Sequence, residues 1–196
     1  MKASIEQFRQ NLVHVRNLAT IYAELHQNGS ILDLSDILRA EVVLAVSALD
    51  NFIHDLVRLG MVEILQDQRK RTKFYQEVKI SMNVVGFNDK PYHWFEGEIR
   101  RRYQEESFQR PDKIADAIKR ISEINLWEKV ATEILESEES IKNELKGIVN
   151  RRNFIAHESD LEPNTPGKRF DIDDMYVEKV VKFIEKLAEA IYKVVI

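Results

Sequence analysis

The chain has 196 residues, 44% hydrophobic and 32% charged, with 29 Lys and Arg against 33 Asp and Glu for a net charge of −4. This composition fits one folded domain with a substantial core, and it argues against a protein that coats nucleic acid through bulk charge. There is no cysteine, which removes disulfides, thiolate catalysis and cysteine-based zinc sites.

Nearly every segment carries helical spacing. The first helix is expected from an N-cap at Ser4 through about Gln27, with Phe8, Leu12, Val15, Leu18, Ala19, Tyr22 and Leu25 on one face and Asn28-Gly29 as its stop. Asp33 or Ser35 can cap a long second helix reaching about Gln68. Its apolar positions cover most of the circumference, which marks it as the central element, and Gly60 is a point of kinking or close contact. The longest apolar run, Val42 to Leu49, is interrupted by Ser47 and too short to cross a bilayer, and no basic region precedes an apolar core at the N-terminus. The expected compartment is therefore a bacterial-type cytoplasm.

Residues 69 to 90 lose the period, and Met82 to Pro91 reads as a loop. Helical pattern resumes after Pro91 through about Phe108. Pro111-Asp112 then starts another helix, which runs through Ile114, Ala117, Ile118 and Ile121, passes Trp127 and ends near Glu136. A further helix is expected over roughly Ser137 to Glu158. After a polar loop with Pro163 and Pro166-Gly167, Asp171 or Asp173 opens the last, with Val177, Val180, Val181, Ile184, Leu187 and Ile191 inward. No internal repeat or domain boundary interrupts residues 1–196. The fold class is all-α, an up-and-down helical bundle with a long central helix and additional helices.

The chemistry concentrates at Asn150-Arg151-Arg152-Asn153-Phe154-Ile155-Ala156-His157-Glu158. A titratable imidazole and a fixed guanidinium are what metal-free RNA cleavage requires: a proton shuttle, and a positive charge for the phosphate. Ile141, Leu145, Ile148, Val149 and Ile155 make one apolar stripe, and Arg152 falls within it, four after Ile148 and three before Ile155. A charge there is costly unless it is paired or faces a wet cleft. A snorkelling side chain or a satisfied ion pair is the structural alternative.

The central helix also carries a polar line, Ser47, Asp50, His54 and Arg58, in which an Asp one turn before a His can orient the ring. Asp50 and His54, together with Arg151, are supporting candidates, against the plainer reading of a solvated helix face. Basic clusters at Arg69-Lys70-Arg71 with Lys73, Arg100-Arg101-Arg102, Arg151-Arg152 and Lys168-Arg169 could form a local groove for RNA, although most such runs are solvated faces. No Glu-x-x-His pair and no phosphate-cradling glycine loop occur, so neither a dimetal centre nor P-loop chemistry is expected, and no cofactor is called for.

At Arg152-Asn153-x3-His157 the sequence resembles the HEPN superfamily, all-α domains marked by an Arg, a polar residue and a His four to six positions after the Arg. Ser47-Ala48-Leu49-Asp50-Asn51-Phe52-Ile53-His54-Asp55 is similar to the central-helix signature of the RiboL-PSP-HEPN group, and so are Ser107 to Ala117 and Asn150 to Asp160. The three segments occur in the order of that group and span most of the chain. The resemblance implies a metal-independent endoribonuclease acting as a homodimer on RNA, often a toxin or host-defence effector against phage, with a possible antitoxin partner. Carried onto this chain, it makes His157 the proton carrier, Arg152 the stabiliser of the phosphorane charge and Asn153 the residue that positions the phosphate or the His. Attack by a 2'-hydroxyl would leave a 2',3'-cyclic phosphate and a 5'-hydroxyl.

Helix geometry adds a condition. Five residues at about 100° each put His157 about 140° around from Arg152. Either the helix loosens near His157, or the long Arg curls over, or a second subunit completes the site. The competing reading is a non-catalytic helical module that binds a protein partner or nucleotide through Arg152.

Overall fold

The apolar spacing is realised as helices packed on one spine in the computed structural model, which describes residues 1–80, 92–165 and 167–196. The elements are α1 (Lys2–Gln27), α2 (Ser35–Leu65), α3 (Lys73–Glu77), α4 (His93–Tyr103), α5 (Pro111–Lys119), α6 (Leu126–Ile134), α7 (Glu138–Glu158) and α8 (Asp174–Val195). No strand forms among the described residues; Leu161 and Arg169 make a single antiparallel bridge. The fold is an all-α bundle. α2 is its centre and packs against α1, α4, α5, α7 and α8. Leu38, Val42, Val46, Leu49, Phe52, Ile53, Leu56 and Ile64 of α2 are all buried, which is why its apolar residues wrap most of the way round.

Caps decide several boundaries. Ser137 accepts from the Ser140 N–H at 3.1 Å to start α7, and Asp173 accepts from the Tyr176 N–H at 2.7 Å to start α8. Both starts agree with the sequence. The expected cap at Ser4 does not form: α1 begins at Lys2, and Ser4 is buried with its hydroxyl donating to the Met1 carbonyl at 2.7 Å. At α2 the N-cap position is Leu34, while Asp33 accepts from the Ser35 N–H at 2.9 Å.

Elsewhere the sequence reading needs correction. Thr72 caps the short α3, which the spacing did not reveal. α4 ends at Tyr103 rather than near Phe108, because the chain there turns to meet Asp50. The single helix expected from Pro111 to Glu136 is two, α5 and α6. The break at 120–125 is fixed by Thr72 donating to the Arg120 carbonyl at 2.8 Å and by Ile121 seating against Gly60. A Cβ at Gly60 would stand 2.8 Å from the Ile121 side chain, so only glycine allows this approach. The loop expected over Met82 to Pro91 lies outside the described residues.

Candidate functional site

α7 supplies the site because its buried stripe ends before the helix does. Ile141, Leu145, Ile148 and Val149 are buried, whereas none of residues 150–159 is. Arg152 and Ile155 are half-buried, and Asn153 and His157 are exposed. Arg152 thus stands where the stripe emerges into solvent, so its charge carries no full burial cost. No hydrogen bond or ion pair holds the side chain of Arg152, Asn153 or His157 among the described residues. α7 is helical through Glu158, which removes a loosened helix as the way to bring Arg152 and His157 together.

The neighbouring arginine has a different task. Arg151 donates from Nη2 to Asp160 Oδ2 at 2.9 Å and to the Asp171 carbonyl at 3.0 Å, and its guanidinium lies 5.1 Å from the centre of the Phe170 ring. Arg39 of α2 donates from Nε to the same Asp160 oxygen at 2.7 Å, from Nη2 to the Phe170 carbonyl at 2.9 Å and from Nη1 to Ser35 Oγ at 2.6 Å. Asp160 is fully buried between these two cations. It follows two residues after α7 ends, and both Ser159 and Asp160 adopt left-handed backbone, at φ 53° and 59°. The Asp160 N–H closes the helix end on the Phe154 carbonyl at 2.9 Å, a Schellman-type reversal. Arg39, Asp160 and Arg151 therefore clamp the helix end that carries Arg152, Asn153 and His157. Spacing had not pointed to Arg39 or Asp160; an Arg at a core-facing position of α2 was the available signal.

The remaining supporting candidates lie elsewhere on α2. Asp50 accepts from the Phe108 N–H at 2.6 Å and from Gln109 Nε2 at 2.7 Å. His54 Nε2 is 3.0 Å from the Glu106 carbonyl, which requires that nitrogen to carry the proton, and the ring packs on Phe108 at 4.4 Å between centres. Both residues thus hold the connection between α4 and α5. Asp50 is eleven residues beyond Arg39 on α2, about 16 Å along the axis, so Asp50 and His54 take no part in the Asp160 clamp.

Most of the basic clusters are internally paired. Arg69 bonds Glu63 and the Val195 carbonyl, Arg101 and Arg102 bond Glu98, Lys168 pairs with Glu162, and Arg169 pairs with Asp36. Among the described residues, no three His, Asp or Glu side chains gather as metal ligands would, and no helix is long and apolar enough to cross a membrane.

No curated protein and no solved structure matches the chain. The family model described as RiboL-PSP-HEPN matches residues 11–196. That span takes in α2, the Asp50 connection, the whole of α7 and its clamp, and the chain belongs to the RiboL-PSP-HEPN family.

Proposed function

We propose that the chain is a metal-independent endoribonuclease, folded as one domain over residues 1–196 and working as a cytoplasmic homodimer. Family membership suggests a nuclease-type or RNA-related module. The observation that carries the finer reading is the contrast between adjacent arginines: Arg151 is paired with Asp160 in the clamp, while Arg152 remains unpaired beside solvent with Asn153 and His157 on the same helix end. A fixed helix end with three unengaged polar side chains is suited to holding a phosphodiester.

In this mechanism an imidazole of His157 takes the proton of the ribose 2'-hydroxyl as that oxygen attacks phosphorus. Arg152 meets the charge that builds on the phosphorane oxygens, and Asn153 orients the phosphate. The bond from phosphorus to the 5' oxygen breaks, and that oxygen receives a proton from the imidazole of the second copy. A cyclic phosphate and a free 5'-hydroxyl result. The angle of about 140° between positions 152 and 157 is what a second copy resolves, each chain offering its Arg to the other's His. Ile21, Leu25 and Leu44 leave apolar surface on α1 and α2 uncovered, which a second copy would bury. A toxin or host-defence effector is the setting that fits such an activity, with an antitoxin protein as its natural restraint.

The test is digestion of total RNA by the purified protein in excess chelator. Wild type should give cyclic-phosphate ends, His157→Ala and Arg152→Ala should give none, and DNA should survive. Intact RNA with wild type would favour the competing reading of a non-catalytic module, in which half-buried Arg152 pairs with an acidic partner.

A further inference from the structure

Away from the α7 motif, α1, α2 and α8 enclose a pocket of about 350 Å³. Its walls are apolar, formed by Val15, Ala19, Leu38, Val177 and Val181, yet Glu41 of α2 also lines it. Glu41 is 3% exposed, its Oε1 is fully covered, and no donor reaches that oxygen among the described residues. A buried carboxyl with no partner is costly, and a merely structural position would be served as well by Leu or Gln.

The charges around the pocket do not meet this need. On α1, Arg16 pairs with Glu185 at 2.6 Å; on α8, Lys182 pairs with Glu178 at 2.6 Å, and Asp174 accepts from the Met175 N–H at 2.9 Å. Tyr22 stacks on His26. Arg39, two residues before Glu41 on α2, is committed to Asp160. The pocket offers apolar walls and a single unmet acceptor, and its volume lies in the range of small-molecule sites.

We propose that this pocket binds a small primary amine carried on a compact apolar body, with the ammonium meeting the Glu41 carboxylate. An anionic ligand would face repulsion there, and a neutral one would leave the ionised carboxylate without a counter-charge. Burial pushes the Glu41 carboxyl up to about 7. A bound ammonium favours the ionised form, so binding releases a proton at neutral pH. Affinity therefore weakens as pH falls below about 7, roughly tenfold for each unit.

The probe is phenethylamine, titrated into isotope-labelled full-length protein and followed by amide chemical shifts, with 2-phenylethanol as the neutral match in size. Phenethylamine should saturate signals of residues 15–22, 38–42 and 174–182, at least about tenfold more tightly than the alcohol and about tenfold more tightly at pH 8 than at pH 6. Glu41→Gln, checked as folded by its spectrum, should lose at least about tenfold of amine affinity. Absence of saturable binding at pH 8, equal binding of amine and alcohol, or a wild-type affinity indifferent to pH would each overturn the assignment, whatever the RNA digestion shows.

Discussion

Arg151 reaches across the end of α7 to Asp160 at 2.9 Å, and this contact ties the reversal of the chain to the helix that carries the motif. Asp160→Asn keeps the side-chain shape and tolerates the left-handed backbone while removing the charge. Two buried or half-buried guanidiniums would then face each other with no anion between them. The expected loss of unfolding free energy is about 3 kcal/mol, read by denaturant titration. Any RNA cleavage should fall with it at temperatures where the variant remains folded.

Arg151 and Arg152 should separate stability from activity. Arg151→Ala is expected to lower the melting temperature clearly. Arg152→Ala should change stability by no more than about 1 kcal/mol, because its side chain holds nothing in place. Cleavage should vanish with Arg152→Ala. Thermal melts run beside RNA digestion test both halves, and a reversed pattern would exchange the two assignments.

Glu41 should leave a signature in the pH dependence of stability. Its carboxyl titrates near 4.5 when unfolded and about 7 when folded. Below 4.5 both states hold the proton, so there is no penalty. As pH rises toward 7 the unfolded chain releases its proton first, and folding is progressively disfavoured. Above 7 the penalty is constant, at most about 3 kcal/mol. Glu41→Gln lacks this titration, so its stability advantage over wild type should grow between pH 4.5 and 7.5 and then level off. A difference that does not change with pH would contradict the buried carboxyl.

Gly60→Ala tests the notch between α2 and Ile121. Helix propensity alone would favour alanine by about 1 kcal/mol. The Cβ would meet the Ile121 side chain at 2.8 Å, so a net loss of about 1–3 kcal/mol is expected instead. Ile121→Ala in the same chain should recover part of that loss, giving a measurable coupling in a double-mutant cycle.

Self-association is checked by light scattering. Wild type should run at twice 23.0 kDa at micromolar concentration. Leu44, 44% exposed on α2, is a place to disrupt pairing without touching the core, so Leu44→Glu should give a folded monomer that no longer cuts RNA. A wild-type monomer that still cleaves would remove the need for a second copy.

The amphipathic stripes of α7 and α8 and the wide apolar face of α2 were legible in the sequence, because burial on one side imposes a period that survives any detail of packing. The start of α7 near Ser137 and that of α8 at Asp171 or Asp173 were legible because cap chemistry is local, and the structure selects Asp173. The division of α5 from α6 was not, since it depends on Thr72 and Gly60, distant in sequence. The motif was visible as a pattern of residue types. The opposite duties of Arg151 and Arg152 were hidden, because they are set by Asp160 and Arg39, which only the folded chain brings within reach of α7.

The core stripe of α7 stops at Val149, and no later residue is buried until Asp160. Within the intervening stretch Arg151 holds the clamp, Phe154 meets the Phe170 ring at 6.0 Å between centres and Ile155 packs on the core, while the remaining positions other than half-buried Arg152 are exposed. Mutational variation confined to the exposed positions Asn150, Asn153, Ala156, His157 and Glu158 should therefore be well tolerated, so a library built there would explore changes in recognition while most members still express as folded protein.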